Sequence, residues 1–282
     1  MLVLRFLPKV LCSRILGILE RIPIPRGLRG AAFGWYVRRY GADLSEARRP
    51  LADFPTFNEF FLRELREGAR PIDPDPASVV SPVDGRIVAF GAIERGRLIQ
   101  AKGLDYSLEE LVGSSLVSAG LVGGSQLTLY LAPGDYHRIH SPVDGGAALS
   151  VHIPGTLWPV NDAAASSIRD LFIRNERVVT GLETPDGIVV LVKIGAFNVG
   201  SIRVEYDPEV GRGRRQRYRA YPMPRNFRKG AELARFEMGS SVVLLLPRGH
   251  ALAPDLKVGN RVRVGERVGE RVASFAAQRP PA

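Results

Sequence analysis

The sequence predicts an α+β protein, with a helical segment over residues 1–70 and a compact, mostly antiparallel, β-rich body over residues 71–282. Three observations carry that expectation. Helical spacing of apolar residues dominates the first 70 positions and is sparse after them. From Val79 onward the chain breaks into short, β-branched apolar runs separated by glycine. Between the two regimes lies Pro71-Ile72-Asp73-Pro74-Asp75-Pro76, a stiff stretch that suits a domain boundary.

The first helix is amphipathic. Val3, Leu4, Leu7, Val10, Leu11, Ile15 and Ile18 share one face, while Arg5, Lys9 and Ser13 mark the other. Arg14 falls on the apolar face, where a long side chain can snorkel. Charges recur too often for a membrane span, and no small-residue cleavage site follows to mark a signal peptide. The pattern fits an interfacial helix on anionic lipid, a helix packed on its own core, or, as a lesser option, a mitochondrial transit peptide. Pro23 and Pro25 end it, and a second helix is predicted from Leu28 to Tyr40. A third follows Thr56, where Thr56-Phe57-Asn58-Glu59 has the form of a capping box. It would carry Phe60, Phe61 and Leu65 inward and end near Gly68.

Predicted strands in the body are Arg86–Phe90, Gln126–Leu131, Ala148–Ile153, Gly187–Val192, Ser201–Val204 and Ser241–Leu246, with helices at Ser107–Val112 and Ala163–Phe172. Between Glu110 and Asp135 no residue is charged, yet four glycines (113, 120, 123 and 124) interrupt the stretch. It therefore reads as a loop and a strand rather than a span. No repeat of fixed period is evident, although Ser-Pro-Val-Asp-Gly occurs twice, at Ser81–Gly85 and Ser141–Gly145.

A hydrophobic share of 45% and a charged share of 24% are those of a chain that buries a core, which excludes disorder over most of its length. The lone Cys12 excludes an internal disulfide and a cysteine-based zinc cage. A net charge of +10 calls for an anionic partner: nucleic acid, phospholipid or an acidic substrate. Gly211–Arg219 (GRGRRQRYR) concentrates arginine at a glycine-rich turn, read as a solvated loop or a contact for lipid headgroups. Nucleic acid is disfavoured, because no aromatic stacking platform stands beside it.

Four features bear on chemistry. Gly239-Ser240-Ser241 precedes a strand, and a glycine before a serine offers an unhindered carbonyl to that serine's hydroxyl; the same tripeptide is commonly a plain turn. Tyr136-His137-Arg138-Ile139-His140 offers a general base, a pair of metal ligands, or two structural histidines. Asp84 in the first Ser-Pro-Val-Asp-Gly could orient an imidazole or simply close a turn. The glycine-spaced run Val192–Ile202 could bring backbone amides to a ligand or turn a corner.

Together, in this order and spacing, these features resemble the phosphatidylserine decarboxylases of the short bacterial type, a pyruvoyl-dependent family. The resemblance runs from the basic N-terminal helix to about Pro247. It is carried by Thr56–Asp73 (TFNEFFLRELREGARPID), Ser81–Gly85, Lys102–Leu108 (KGLDYSL), Asp135–Gly145 (DYHRIHSPVDG) and Lys229–Leu246 (KGAELARFEMGSSVVLLL). One departure is visible. The usual Leu-Gly-Ser-Thr is Met238-Gly239-Ser240-Ser241 here, which adds a second hydroxyl, though only Ser240 follows the glycine.

The resemblance implies a self-cleavage triad of Ser240, His140 and Asp84 that cuts between Gly239 and Ser240. The products would be residues 1–239 (β chain) and 240–282 (α chain), held together as a heterodimer, with a dimer of these as a further option. Ser240 would become a covalent pyruvoyl group, a pyruvate-derived cofactor that forms a Schiff base with phosphatidylserine. His137 would be the proton donor in decarboxylation, and no metal is implied. The product is phosphatidylethanolamine, for phospholipid biosynthesis. The resemblance also implies a membrane-associating segment over 1–70, a catalytic domain over 71–282, and a peripheral place on the cytoplasmic side of the cell membrane. Two rivals stand beside it. A zinc hydrolase could use His137, His140 and His152 with Asp84 or Asp144. A lipid-binding or lipoyl-like module without catalysis could use the same β body, a flavour carried by Lys257–Gly265 (KVGNRVRVG).

Overall fold

The computed structural model describes residues 9–101, 103–196, 202–236 and 240–272. Its strands are β1 (Ser78–Val80), β2 (Gly85–Ala92), β3 (Arg97–Ala101), β4 (Leu104–Ser107), β5 (Ser125–Leu131), β6 (Arg138–His140), β7 (Gly145–Ile153) and β8 (Arg177–Thr184). They continue with β9 (Gly187–Ile194), β10 (Ile202–Val204), β11 (Arg217–Phe227), β12 (Glu232–Phe236), β13 (Ser240–Leu246), β14 (His250–Leu252), β15 (Arg261–Val262) and β16 (Arg267–Arg271). The fold is α+β, and every named strand pair is antiparallel.

The main sheet has the order β11-β7-β8-β9-β13-β5-β2-β15. β13 lies inside it, paired on one side with β5 and on the other with β9, and all of its residues are buried. A strand buried on both faces needs a continuous apolar run rather than an alternating one, and Val242–Leu246 supplies it. Val242, Leu244 and Leu246 pack with Leu127, Leu129, Leu131, Ile139 and Phe236. Val243 and Leu245 face the opposite way, onto Val190, Val192, Leu111 and Phe172. The first face is covered by the small sheets β10-β12-β6 and β1-β16-β14. Short helices, Leu108–Val112 and Ser115–Leu121 among them, cover the second. Truncating a buried leucine such as Leu244 to alanine costs about 2–5 kcal/mol at such a site.

The two Ser-Pro-Val-Asp-Gly copies have matching partners. Ser81 Oγ donates to the Val83 carbonyl at 2.7 Å, and Ser141 Oγ donates to that of Val143 at 2.7 Å. Asp84 Oδ1 accepts the Val264 amide at 2.9 Å, and Asp144 Oδ1 accepts that of Lys229 at 2.8 Å. The copies also clasp each other: the His140 amide donates to the Pro82 carbonyl and the Val80 amide to that of Pro142. Each copy enters a long strand, β2 or β7, and both glycines are forced. A Cβ would stand 2.8 Å from the Tyr130 carbonyl oxygen at Gly85 and 2.9 Å from that of Glu183 at Gly145. The body is thus two equivalent clasps, although the sequence has no regular period.

In the N-terminal segment the helix Arg26–Tyr40 ends at Gly41, a left-handed cap whose amide bonds the Val37 carbonyl. Phe33, Tyr36, Phe54 and Phe60 form its core, with the Phe33 and Phe60 rings stacked at 5.0 Å. The segment docks on the body through Tyr36 Oη, which donates to the Pro133 carbonyl at 2.8 Å, and through the Leu62 carbonyl, which accepts from Arg138. In the first helix, Lys9–Leu19, Ser13 is buried while Ile15, Ile18 and Leu19 are exposed, and Ile22, Leu28 and Trp35 are exposed after it. Among the described residues, no helix is long and apolar enough to cross a membrane.

Three expectations need correction. The helix capped by Thr56 spans only Phe57–Phe61, with Thr56 Oγ1 accepting the Glu59 amide at 3.1 Å. Leu65 lies beyond it and bridges to Ala47, because Leu62 and Arg63 are drawn to the body instead of continuing the turn. The expected helix Ala163–Phe172 is two, Asp162–Ser167 and Leu171–Arg174, broken at Asp170 with a left-handed φ of 59°. The arginine-rich turn is an exposed loop only over 211–216; Arg217–Arg219 open β11, an edge strand of the main sheet whose register breaks between Ala220 and Arg225.

Candidate active site

β5 ends at Leu131, and the turn that follows is closed by Asp135 Oδ2, which accepts the Ala132 amide at 2.7 Å. That turn places Tyr136 and His137 at the join between the helical segment and the body. His137 is fully buried, its ring 4.0 Å from that of Phe61. Its Nδ1 lies 2.8 Å from the Asp135 carbonyl, which can only accept, so Nδ1 carries the proton. Nε2 is left as an open lone pair with no partner among the described residues. Burial drives the pKa of His137 down to about 3, against the pull of the Asp135 carbonyl and aided by the Arg63 charge. It is a neutral imidazole at physiological pH.

His140 is also neutral, its pKa lowered chiefly by burial. Its Nδ1 donates to the Gly230 carbonyl at 2.7 Å, and its Nε2 accepts the Tyr136 hydroxyl at 3.0 Å. Gly230 sits at φ +83°, where an added Cβ would meet Ile72 at 2.6 Å. Asp84 is placed differently from the arrangement the resemblance implies. Its carboxylate takes Arg70 Nε at 2.9 Å and Arg70 Nη2 at 2.5 Å, together with the Val264 amide. Arg70 also pairs with Glu46 at 2.8 Å. Among the described residues Asp84 makes no hydrogen bond to His140; it acts on that ring through its charge.

Ser240 opens β13, wholly buried, and its Oγ has no partner among the described residues. Strand alternation puts Ser240 on the face of Val242 and Leu244, the side covered by β6 and β12, and Ser241 on the opposite face. The two hydroxyls that follow the expected scissile bond therefore lie on opposite faces of the sheet. β12 ends beside the histidines, the Phe236 amide bonding the His137 carbonyl at 3.2 Å. Gly239, Met238 and residues 197–201 of the glycine-spaced run lie outside the described residues.

A match to the phosphatidylserine decarboxylase family covers residues 57–270, most of the chain, with Asp84, His137, His140 and Ser240 inside it. The chain belongs to the phosphatidylserine decarboxylase family. Curated relatives extend that likeness over nearly the full length. A phosphatidylserine decarboxylase proenzyme of Anaeromyxobacter sp. (strain K) is 48% identical over 271 residues, covering 94% of this chain and 96% of its own. Proenzymes of the same name from Myxococcus xanthus and Brevibacillus brevis are 40% and 42% identical, covering 95% and 85% of this chain and 97% and 86% of their own.

Within this family member, the partners of the site residues are the new information. Tyr136, Gly230 and Arg70 hold His140 and Asp84, and all three lie inside the motifs that carry the resemblance, so their positions were visible although their roles were not. Lys193 was missed. It is fully buried on the face that Val242 occupies, donates to Thr180 Oγ1, and has its pKa lowered to about 7 by burial. The histidines do not gather for a metal: His152 bonds Glu176 at 2.9 Å on β7, and no group of three ligand-type side chains fits an ion among the described residues. A prosthetic group made from the Ser240 side chain suits its surroundings, because a buried hydroxyl with no partner among the described residues stands at the head of a strand held on both sides.

Proposed function

We propose that this chain is a phosphatidylserine decarboxylase that matures by cutting itself between Gly239 and Ser240. The observation that carries the reading is Ser240 itself. Among the described residues its buried hydroxyl has no partner, which costs stability, and a catalytic role is one reason for a fold to keep such a group. Here it faces the layer that holds two buried, neutral imidazoles.

His140 is the base for maturation. The Gly230 carbonyl fixes its tautomer, leaving the Nε2 lone pair ready for the Ser240 proton once the Tyr136 hydroxyl moves off. Asp84, steadied by Arg70, supplies negative charge that favours the protonated ring. Ser240 Oγ attacks the Gly239 carbonyl, and the amide becomes an ester. Elimination across Ser240 then frees residues 1–239 with a carboxylate end. The dehydroalanine left on residues 240–282 takes up water and loses ammonia to give the pyruvoyl end. That group supplies a carbonyl electron sink for the electrons left as CO₂ departs. His137, with Nε2 open, takes a proton from the substrate ammonium and returns it to the carbon that lost CO₂. The exposed residues Ile15, Ile18, Leu19, Ile22, Leu28 and Trp35 rest on the cytoplasmic face of the cell membrane, where the substrate lies.

The test is intact mass under denaturing conditions, paired with CO₂ release from phosphatidylserine. Two fragments, 1–239 and 240–282, and an uncut, inactive Ser240→Ala protein are expected. A single uncut chain that still releases CO₂ would overturn the reading, and a single uncut chain that binds lipid without chemistry would favour a binding module.

A further inference from the structure

Arg63 has no assigned task. It is 3% exposed, and only one of its guanidinium nitrogens is satisfied: Nη2 donates to the Gly134 carbonyl at 2.9 Å and the Asp135 carbonyl at 3.3 Å. Among the described residues, Nε and Nη1 have no partner. The guanidinium lies 5.7 Å from the Phe60 ring centre, which offsets part of its desolvation. A buried cation with two open donors is costly, and in a native protein such a group calls for a partner, whether ion, ligand or water.

Arg63 lines a cavity of about 280 Å³ with Gly41, Asp43, Asp84, Tyr136 and Arg261. The other arginines of that cavity are already neutralised. Arg70 pairs with Asp84 and Glu46, Arg261 with Asp135, and Arg263 with Glu46. Among the described residues Arg63 alone of these four has no carboxylate partner. It is also tied to the chemistry, because its Nη2 and His137 Nδ1 converge on the same Asp135 carbonyl. The cavity's Gly41 and Asp43 directly follow the helix that exposes Trp35 and Tyr40.

We propose that Arg63 and this cavity bind the phosphate of the substrate's headgroup, a use that rests on the decarboxylase reading. The open donors call for an anion with several oxygens, and phosphatidylserine brings two such groups. Holding the carboxylate would stabilise the ground state of the group that must leave as neutral CO₂, and would slow the reaction. Holding the phosphate leaves the barrier untouched and fixes the lipid beside His137. Arg63 is thus a positioning and specificity residue.

The experiment compares wild type, Arg63→Met and Arg63→Lys in two assays. In the first, glycerophosphoserine and inorganic phosphate are titrated separately into uncut full-length Ser240→Ala protein carrying each Arg63 side chain. Glycerophosphoserine should bind about 10- to 100-fold more weakly with Met, and by an intermediate factor with Lys. Inorganic phosphate should bind more weakly than glycerophosphoserine throughout; equal affinity would make this a site for free phosphate and overturn the headgroup assignment. In the second, KM and kcat for a short-chain phosphatidylserine are measured on the matured fraction, counted by intact mass. KM should rise by a similar factor, with kcat changing less. If Met does not fold, the Lys variant decides alone, since it keeps the charge and loses the fork. Unchanged binding and unchanged KM in the Lys variant, with wild type active, would overturn the site and leave the reaction standing. Arg63-dependent binding in a protein that releases no CO₂ would instead overturn the reaction.

Discussion

Arg70 grips the Asp84 carboxylate through both of its oxygens, and among the described residues that carboxylate makes no hydrogen bond to His140. Only 11% of the Arg70 side chain and 9% of the Asp84 side chain is exposed. Breaking such a pair from one side leaves a buried charge unmatched and costs about 3–5 kcal/mol. Arg70→Met should therefore lower stability in urea by that order and slow cleavage. The double variant Arg70→Met/Asp84→Asn should recover much of the stability but not the cleavage rate. Recovery of both would mean that Asp84 contributes packing alone.

Gly230 holds His140 through its carbonyl, at a backbone angle that a side chain disfavours. Gly230→Ala should strain that turn by about 1–2 kcal/mol and displace the carbonyl. Its expected signature is slow maturation in a pulse-chase of the purified precursor, with a normal CO₂ turnover number per matured molecule. A turnover defect with normal maturation would place the carbonyl in the second reaction instead.

The two histidines should separate by task. His140→Ala should accumulate uncut chain. His137→Ala should mature substantially and then lose decarboxylation by about 10²–10⁴-fold, the usual worth of a positioned acid–base group. Cleavage and CO₂ release are read on the same preparations. Equal loss of cleavage in both variants would end this division of labour.

Stability should vary with pH at both ends of the range. The folded pKa of His137 lies near 3, below its ordinary 6.5, so the unfolded chain binds the extra proton between those values. Stability is therefore lost as pH falls through that window. Lys193 behaves likewise from 10.5 down to about 7, so its contribution is unfavourable at neutrality and the penalty is relieved as pH rises. Lys193→Met should raise Tm at pH 7 by at least about 2 °C and flatten the alkaline rise. An unchanged alkaline limb would show that the amine is not strained in the fold.

The outward apolar residues of the helical segment give the membrane prediction. Ile18→Asp, Leu28→Asp or Trp35→Asp should weaken flotation with vesicles containing phosphatidylserine, and deleting residues 1–22 should weaken it further while cleavage persists. Vesicle binding that survives all four changes would move the contact elsewhere.

How much of this was legible beforehand depended on what each residue touches. The helix ending at Tyr40, the cap at Thr56 and the apolar strand Val242–Leu246 are local patterns, and each is where the sequence placed it. β8 went unseen because its opening Arg177 looks like a surface residue. In the fold that arginine is buried, donating to the carbonyls of Glu110, Leu111, Ile173 and Asn175. β11 was hidden for the opposite reason: as an edge strand it shows arginines to solvent and carries no inward alternation to read. At the site, Asp84, His137, His140 and Ser240 were singled out by the family resemblance, each being ambiguous by itself. The grip of Arg70 on Asp84, the Gly230 carbonyl and the open donors of Arg63 depend on contacts distant in sequence, which no spacing encodes.

β13 is laced between β5 and β9, and the strands after it, β14 and β16, close on each other and on β1. A cut just ahead of Ser240 would leave the short fragment threaded through the larger one with every one of these ladders intact. The uncut chain can find that arrangement as one molecule, whereas two severed pieces would have to re-insert a fully buried strand into a sheet already closed around its absence. Maturation of this kind is a ratchet. A Ser240→Ala chain unfolded in urea should return to its fold on dilution, and the matured pair should not, so its working lifetime would be set by how slowly it first comes apart.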